Sequence, residues 1–252
     1  MAESGIDYSN ILTGQTDAVI DGKNVALASY AWGTTGIFYR KSILEKYGIN
    51  PDEIVDSDDF VEALRTVTDG SNVGMGVVVG THNFVYREWM RFFSHALGGF
   101  YFEEEMGPYD ADHLIANNEK NVYMAEWWQN LILNEKVFKA GPDKKDAREL
   151  FWNGLAAFNV DGPWFIGMTE ARDPAVLEDT GLIPHVEMVY EGKSYKARPT
   201  YSPYLSCISS ASNHKDEAWD FVSWMASEEA QKIVATCGMT PCNKALLRNL
   251  GK

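Results

Sequence analysis

Short apolar runs alternate along the chain with longer stretches in which apolar residues recur every three or four positions. The short runs predict strands at residues 25–28, 37–39, 74–79, 156–160 and 205–209. The longer stretches predict helices at residues 40–47, 84–97, 122–134, 146–153, 215–226 and 228–236. Strands that alternate with helices in this way predict an α/β architecture.

Three further elements are predicted in enough detail to be compared with a structure. A helix capped by Ser57 or Asp58 should bury one apolar face, which comprises Phe60, Leu64 and Val67. Residues 188–190 and 195–197 flank a turn at 191–194 and predict a hairpin. The helix at 215–226 should point four apolar side chains inward, namely Ala218, Phe221, Val222 and Met225.

The most informative local pattern is a strand that turns into a helix at residues 156–167. The strand ends before Asp161-Gly162, and Pro163 stands where a helix favours proline, because the fixed φ suits the helix and the missing N–H needs no partner there. Trp164 would then lie in the first helical turn at the mouth of a sheet, where ligands bind in open α/β folds. Its indole is a candidate stacking platform for a sugar, with packing in the core as the alternative.

Composition narrows the class of protein. The 252 residues carry a net charge of -14, and no basic face for a phosphate backbone is apparent, which argues against nucleic acid. The 8 Trp and 12 Tyr residues suit a protein that holds flat, half-polar ligands, although core packing explains many of them. No apolar run is long enough to cross a membrane, and the first residues lack the basic start and apolar core of a secretory signal.

No cofactor or metal ion is predicted. The glycines at 74, 76 and 80 do not fit the dinucleotide-binding fingerprint, and no Cys or His pair has zinc-site spacing. The acidic runs at 103–105 and 110–112 lack the ligand order of a calcium-binding loop and are expected to be solvated. Cys237 and Cys242 bracket a tight corner, and we expect both to remain free thiols because a bond across so small a loop would stabilise little.

Four segments, taken in order, resemble the family 1 extracellular solute-binding proteins of ABC importers, the maltose-binding-protein-like group. They are Trp-Gly-Thr-Thr-Gly-Ile-Phe-Tyr-Arg-Lys at 32–41, Asp-Phe-Val-Glu-Ala-Leu at 59–64, Phe-Asn-Val-Asp-Gly-Pro-Trp at 158–164, and the stretch from 209–221 to Gly-Met-Thr-Pro at 238–241. The chain departs from the family pattern at Arg40, where Asn is common, and it lacks the Trp that usually opens the second segment.

The resemblance implies a fold of the periplasmic-binding-protein type II, with two lobes joined by crossing strands near Thr34, Pro203 and Thr240. Family members usually carry further elements before the first segment and after the last, so the chain is expected to be truncated at both ends, with an incomplete first lobe. The implied division assigns 1–34 to a remnant of lobe 1, 35–202 to lobe 2, 203–238 to lobe 1 again, and 239–252 to a return toward lobe 2.

The resemblance also implies a function. The protein would bind a sugar or oligosaccharide in an inter-lobe cleft and deliver it to ABC permease subunits, without catalysis and without inserting into the membrane itself. Its location would be extracytoplasmic, in the periplasm or as a cell-surface lipoprotein. The ligand-binding residues expected from the matching segments are Trp164, Trp32, Thr34, Tyr86, Trp89, Tyr201 and Tyr204.

Two alternatives remain open at the level of sequence. A glycoside hydrolase would need two carboxylates across a cleft, and Asp161 with one residue of the cluster at Glu103 would be the candidates. A receptor for a non-sugar solute such as a peptide or polyamine would keep the fold and change the ligand. The aromatic residues favour the sugar.

Overall fold

A computed structural model describes most of the chain. The described residues are 6, 8–11, 18–32, 35–78, 96–98, 101–103, 107–141, 143–184, 186–196, 198 and 202–250, and of Trp32, Ser202 and Leu250 only the backbone is described. Contacts along the backbone divide the chain into two compact units. Unit 1 comprises Met1–Thr34, Gly162–Met168 and Tyr201–Lys252, and unit 2 comprises Thr35–Asp161 and Thr169–Thr200.

Strands and helices alternate over the described residues, as an α/β fold requires. The strands are β1 (Val19–Ile20), β2 (Lys23–Asn24), β3 (Leu27–Trp32), β4 (Gly36–Arg40), β5 (Val73–Val78), β6 (Phe138–Gly141), β7 (Ala156–Asp161), β8 (Thr180–Ile183), β9 (Met188–Tyr190), β10 (Lys193–Tyr195) and β11 (Ser202–Ser206). The helices are α1 (Lys41–Lys46), α2 (Ser57–Val67), α3 (Glu119–Leu133), α4 (Lys144–Trp152), α5 (Trp164–Arg172), α6 (Pro174–Glu178), α7 (Lys215–Met225), α8 (Glu228–Thr236) and α9 (Lys244–Leu250).

Unit 2 is built on a five-stranded mixed sheet in the order β6-β5-β7-β4-β8. Strand β5 runs parallel to β6 and β7, whereas β4 is antiparallel to β7 and β8. All six residues of β7 are buried, since helices cover both faces of the sheet around it. This strand therefore leads from the centre of unit 2 to the corner that precedes Trp164.

One face of the sheet packs against α2. The predicted apolar face is confirmed, because Phe60, Leu64 and Val67 are fully buried, and the Phe60 ring meets the Phe158 ring of β7 edge-on at a centroid distance of 5.3 Å. The opposite face packs against α4. There β5 carries Gly76, because a Cβ atom at this position would lie only 2.7 Å from the Ala147 Cα atom.

The cap of α2 differs from the predicted one. Asp56, rather than Ser57 or Asp58, is the N-cap, and its carboxylate accepts hydrogen bonds from the backbone N–H groups of Asp58 and Asp59. The Asp59 carboxylate accepts in return from the Asp56 N–H at 3.2 Å, which completes a capping box. A carboxylate at the third helical position therefore decides where this helix begins.

Unit 1 contains the antiparallel pair β3 and β11, packed against α7 and α8. Its fully buried Gln231 on α8 joins three segments: the side-chain amide donates to the carbonyls of Ser29 (2.5 Å) and Met225 (2.7 Å), and its oxygen accepts from the Cys242 N–H (2.5 Å). A single buried polar side chain thus fixes α8 to β3 and to the segment that follows α8, because the bonds to Ser29 and Cys242 are both buried.

The boundary of unit 1 at Thr34 lies where the first crossing was expected, but the expected return of 239–252 toward lobe 2 needs correction. Thr240 and Ala31 of β3 exchange two backbone hydrogen bonds, at 2.8 and 3.0 Å, and so residues 239–252 belong to unit 1. The chain turns back after α8 because Gly238 adopts a φ of +74°, which glycine tolerates. Unit 1 also includes Gly162–Met168, which the sequence had assigned to lobe 2.

Two other local predictions are wrong in phase or extent. Phe221 was expected to point inward, yet it is 62% exposed, and its neighbour Val222 is the buried residue of α7. The hairpin turn is two residues long rather than four, because Glu191 and Gly192 both take positive φ values of 50° and 70°, and β10 begins at Lys193. Most of the predicted helix at 84–97 lies outside the described residues.

Candidate functional site

The strand-to-helix corner predicted from the sequence is present. Asp161, the last residue of β7, pairs with Gly36 of β4. Three residues later, at Trp164, α5 begins, and the Phe165 N–H donates to the Gly162 carbonyl at 3.0 Å. Pro163 therefore occupies the entry to the helix, where its lack of an N–H leaves no donor unpaired. The corner carries Trp164 out of the end of a fully buried strand.

The carboxylate of Asp161 is buried and held by two cations of α4. The Arg148 guanidinium forms a bidentate pair with it: Nε donates to Oδ2 at 2.7 Å and Nη2 donates to Oδ1 at 3.1 Å. Lys144 Nζ lies 3.8 Å from Oδ2 and donates to the Val160 carbonyl at 2.6 Å. Because such a bidentate pair is strong and directional, it fixes the end of β7 immediately before the corner.

The same geometry argues against the enzyme alternative. The Asp161 side chain is 0% exposed and already engaged by Arg148, so it is not available as a glycosidase carboxylate. Glu103 is an exposed residue of a loop. Asp161 therefore stabilises the corner instead of acting on a substrate.

Trp164 is half-buried and lies between two glycines. The outer edge of its six-membered ring rests against Gly162, where a Cβ atom would lie 2.1 Å from Cη2 and Cζ3. Its backbone rests against Gly238, where a Cβ atom would lie 2.7 Å from the Trp164 Cα. The tryptophan is therefore not enclosed in the core, and its role toward a ligand stays a prediction.

A second aromatic feature lies on the β3–β11 pair. The rings of Tyr30 and Tyr204 stack at a centroid distance of 4.7 Å and an interplanar angle of 23°, and Tyr204 is 46% exposed. The sequence predicted Tyr204 as a site residue but missed Tyr30. The available signal was the position of Tyr30 in β3, the strand that leads into the first crossing expected near Thr34. Trp32 pairs with Ser202 in the same ladder.

Within unit 1 the structure brings together three of the segments that carry the resemblance. Gly238 contacts the backbone of Trp164, and Thr240 pairs with Ala31 of β3. The first turn of α5 is thereby linked to the crossing strand through residues 238–240. Four predicted site residues lie outside the described part of the chain, namely Thr34, Tyr86, Trp89 and Tyr201.

Among the described residues, no group of three or more His, Cys, Asp and Glu side chains is arranged to hold a metal ion. No described helix is both long and apolar enough to cross a membrane. The cysteines Cys207, Cys237 and Cys242 are free, in agreement with the prediction for the last two.

The fold is that of periplasmic sugar-binding proteins of ABC importers. The maltose-bound MalE3 protein of T. maritima superposes with a TM-score of 0.78 at 21% identity, over 94% of this chain and 59% of that one. The sequence profile of the family described as bacterial extracellular solute-binding protein matches residues 4–232. The chain belongs to this family, which is one of binding proteins and not of enzymes.

Two curated relatives are named for sugars. The maltotriose-binding protein of Pyrococcus abyssi (strain GE5 / Orsay) is 22% identical over 222 residues, which are 87% of this chain and 44% of that protein. The arabinooligosaccharide-binding protein of Bacillus subtilis (strain 168) is 27% identical over 139 residues, which are 54% of this chain and 30% of that protein. The chain thus spans less than half the length of these relatives.

Proposed function

We propose that the protein is the substrate-binding component of an ABC importer and that it binds a sugar or oligosaccharide. The observation that carries this proposal is the corner at Trp164, where an indole stays half-buried at the end of a fully buried strand. An aromatic ring held in this way offers its face to the C–H surface of a sugar. The two curated relatives are named for maltotriose and arabinooligosaccharide, which supports the same ligand class.

The charges around the corner fit a neutral ligand. Arg148 and Lys144 both form ion pairs with the Asp161 carboxylate, so their positive charges are compensated. A sugar needs an aromatic face together with polar groups for its hydroxyls. The stacked pair of Tyr30 and Tyr204 supplies a second aromatic surface with phenol hydroxyls on the crossing strand.

Delivery to a permease and an extracytoplasmic location are part of the same proposal. The sugar would occupy the inter-lobe cleft that the family resemblance implies, and its binding would favour the closed state of the receptor. The permease would then bind the receptor in its closed state. These steps need no covalent chemistry from the binding protein.

A calorimetric titration tests the ligand class. The protein is titrated with maltotriose, an arabino-oligosaccharide, spermidine and a tripeptide, and the sugar solutions are analysed by chromatography after incubation. We expect saturable binding of a sugar with no shorter products. Saturation by spermidine or the tripeptide alone would replace the ligand class, and bond cleavage would restore the enzyme alternative.

The residue assignment has its own matched pair of variants. Trp164→Ala should weaken sugar binding by about 1–3 kcal/mol, judged from stacking and lost apolar contact. Trp224→Ala is the control, because Trp224 is also partly exposed in unit 1 but lies on α7, outside the corner. Equal affinities of the two variants would remove Trp164 from the proposed site.

A further inference from the structure

Gly162 has no side chain at the place where the Trp164 indole lies. A Cβ atom built on Gly162 would be 2.1 Å from Cη2, 2.1 Å from Cζ3 and 2.5 Å from Cζ2 of that ring. The optimal separation of carbon atoms that are not bonded is roughly 3.5–4.0 Å, and Cβ atoms in proteins essentially never come within 3.0 Å of another heavy atom. The ring therefore holds its present orientation only because residue 162 is a glycine.

The backbone of Gly162 is not free to move aside. The residue before it, Asp161, is anchored by the bidentate bond to Arg148 at 2.7 and 3.1 Å. On the other side, the Gly162 carbonyl accepts a hydrogen bond from the Phe165 N–H at 3.0 Å, within the first turn of α5. A new methyl group at position 162 would consequently displace the ring and not the chain.

The backbone of Trp164 is confined as well. A Cβ atom on Gly238 would lie 2.7 Å from the Trp164 Cα and 2.9 Å from the Pro163 carbonyl oxygen, so the turn after α8 sits directly against the start of α5. With both backbones held, rotation of the indole about its side-chain bonds is the remaining response. Such a rotation moves the ring into another staggered orientation.

We propose that Gly162 is a positioning residue that sets the orientation of the Trp164 indole and thereby the aromatic surface offered to the ligand. The orientation itself follows from the structure alone, whereas the effect on the ligand rests on the proposed sugar-binding function. Gly162 would then act through Trp164 and would not itself contact the ligand.

The test compares two Gly→Ala variants at either side of the same helix start. Gly162→Ala introduces the clash, and Gly167→Ala is the control, because a Cβ atom on Gly167 of α5 would meet no atom within 4 Å. The readout is the indole N–H resonance of Trp164 in a nitrogen-15 correlation spectrum, identified by its loss in Trp164→Phe. We expect the resonance to move in Gly162→Ala and to stay in place in Gly167→Ala. An unmoved resonance in Gly162→Ala would overturn the inference.

Titration with maltotriose and with an arabino-oligosaccharide separates this inference from the proposed function. If the unaltered protein binds sugar, Gly162→Ala should lower the affinity about tenfold or more, as expected for loss of a stacking surface, while Gly167→Ala should not. If the unaltered protein binds no sugar, the proposed function fails, and the spectrum still decides the role of Gly162. A moved resonance with unchanged affinity would show that ring orientation does not control the ligand.

A double variant covers the case in which Gly162→Ala does not fold. In Trp164→Ala the ring is absent, so adding Gly162→Ala to that variant should cost no further stability, and the double variant should fold even if Gly162→Ala alone does not. A double variant that also fails to fold would show that the methyl group is opposed by the backbone, and the positioning role would be wrong.

Discussion

Removing Arg148 should expose the energetic role of the buried ion pair at the corner. In Arg148→Met the Asp161 carboxylate, which is 0% exposed, loses its two hydrogen bonds to Arg148, while Lys144 Nζ remains 3.8 Å from Oδ2. Methionine preserves most of the apolar length of the side chain, so the change isolates the charge. The protein should therefore lose stability without losing its helix α4.

The size of the effect follows from the burial. Breaking a buried ion pair by removing one partner costs about 3–5 kcal/mol, because the remaining charge is left without compensation. Lys144 still opposes part of that charge, which places the expected loss near the lower limit, about 3 kcal/mol. For a chain of this size, such a loss lowers the melting temperature by roughly 6–12 °C.

Urea unfolding and thermal unfolding of three variants test this reasoning. Arg148→Met combined with Asp161→Asn should be more stable than Arg148→Met alone by about 1–2 kcal/mol, since a neutral amide replaces the stranded carboxylate. Arg172→Met is the control, because Arg172 is 52% exposed and its pair with Glu149 at 3.2 Å should contribute less than about 1 kcal/mol. A loss in Arg148→Met no larger than that of the control, or a double variant less stable than the single one, would refute the argument.

Two further predictions concern unit 2. The hydrogen bond from the Tyr47 hydroxyl is the main reason that the pKa of Asp69 falls to about 2. Because this pKa is lower in the folded protein, the bond stabilises the fold at pH values above the usual aspartate pKa. This stabilisation is lost as the pH falls toward 2. Tyr47→Phe should therefore lower stability in urea at about pH 6 and much less at about pH 2, and an equal loss at both would contradict the assignment. Asp56→Ala should cost about 1 kcal/mol in the same assay, because two backbone N–H groups at the start of α2 lose their acceptor; an unchanged midpoint would count against the capping box.

Local chemistry predicted most of the elements that the structure describes. Gly48 and Gly238, residue types that favour a helix end, both take positive φ after a helix, and the Ser227 hydroxyl accepts from the Ala230 N–H as the N-cap of α8. The sequence was a poorer guide to which side of a helix faces the core and to how strands pair. Phe221 points outward because the packing of α7 on β3 selects Val222, and such a choice depends on tertiary contacts that periodicity does not contain.

The candidate site was predictable where it depends on a single segment and not where it depends on pairing. The Gly-Pro-Trp corner was visible in the sequence, and Trp164 stands where it was expected. The partners of the corner were not, because Arg148 lies on another helix and Gly238 is remote in sequence. The return of residues 239–252 to β3 was likewise set by the backbone bonds between Thr240 and Ala31.

A crystal structure of the protein with its sugar bound tests the central claim most directly. We expect a pyranose or furanose ring stacked on the indole of Trp164, with that indole resting against Gly162 as in the present structure. A sugar bound elsewhere, with no contact to Trp164, would contradict it.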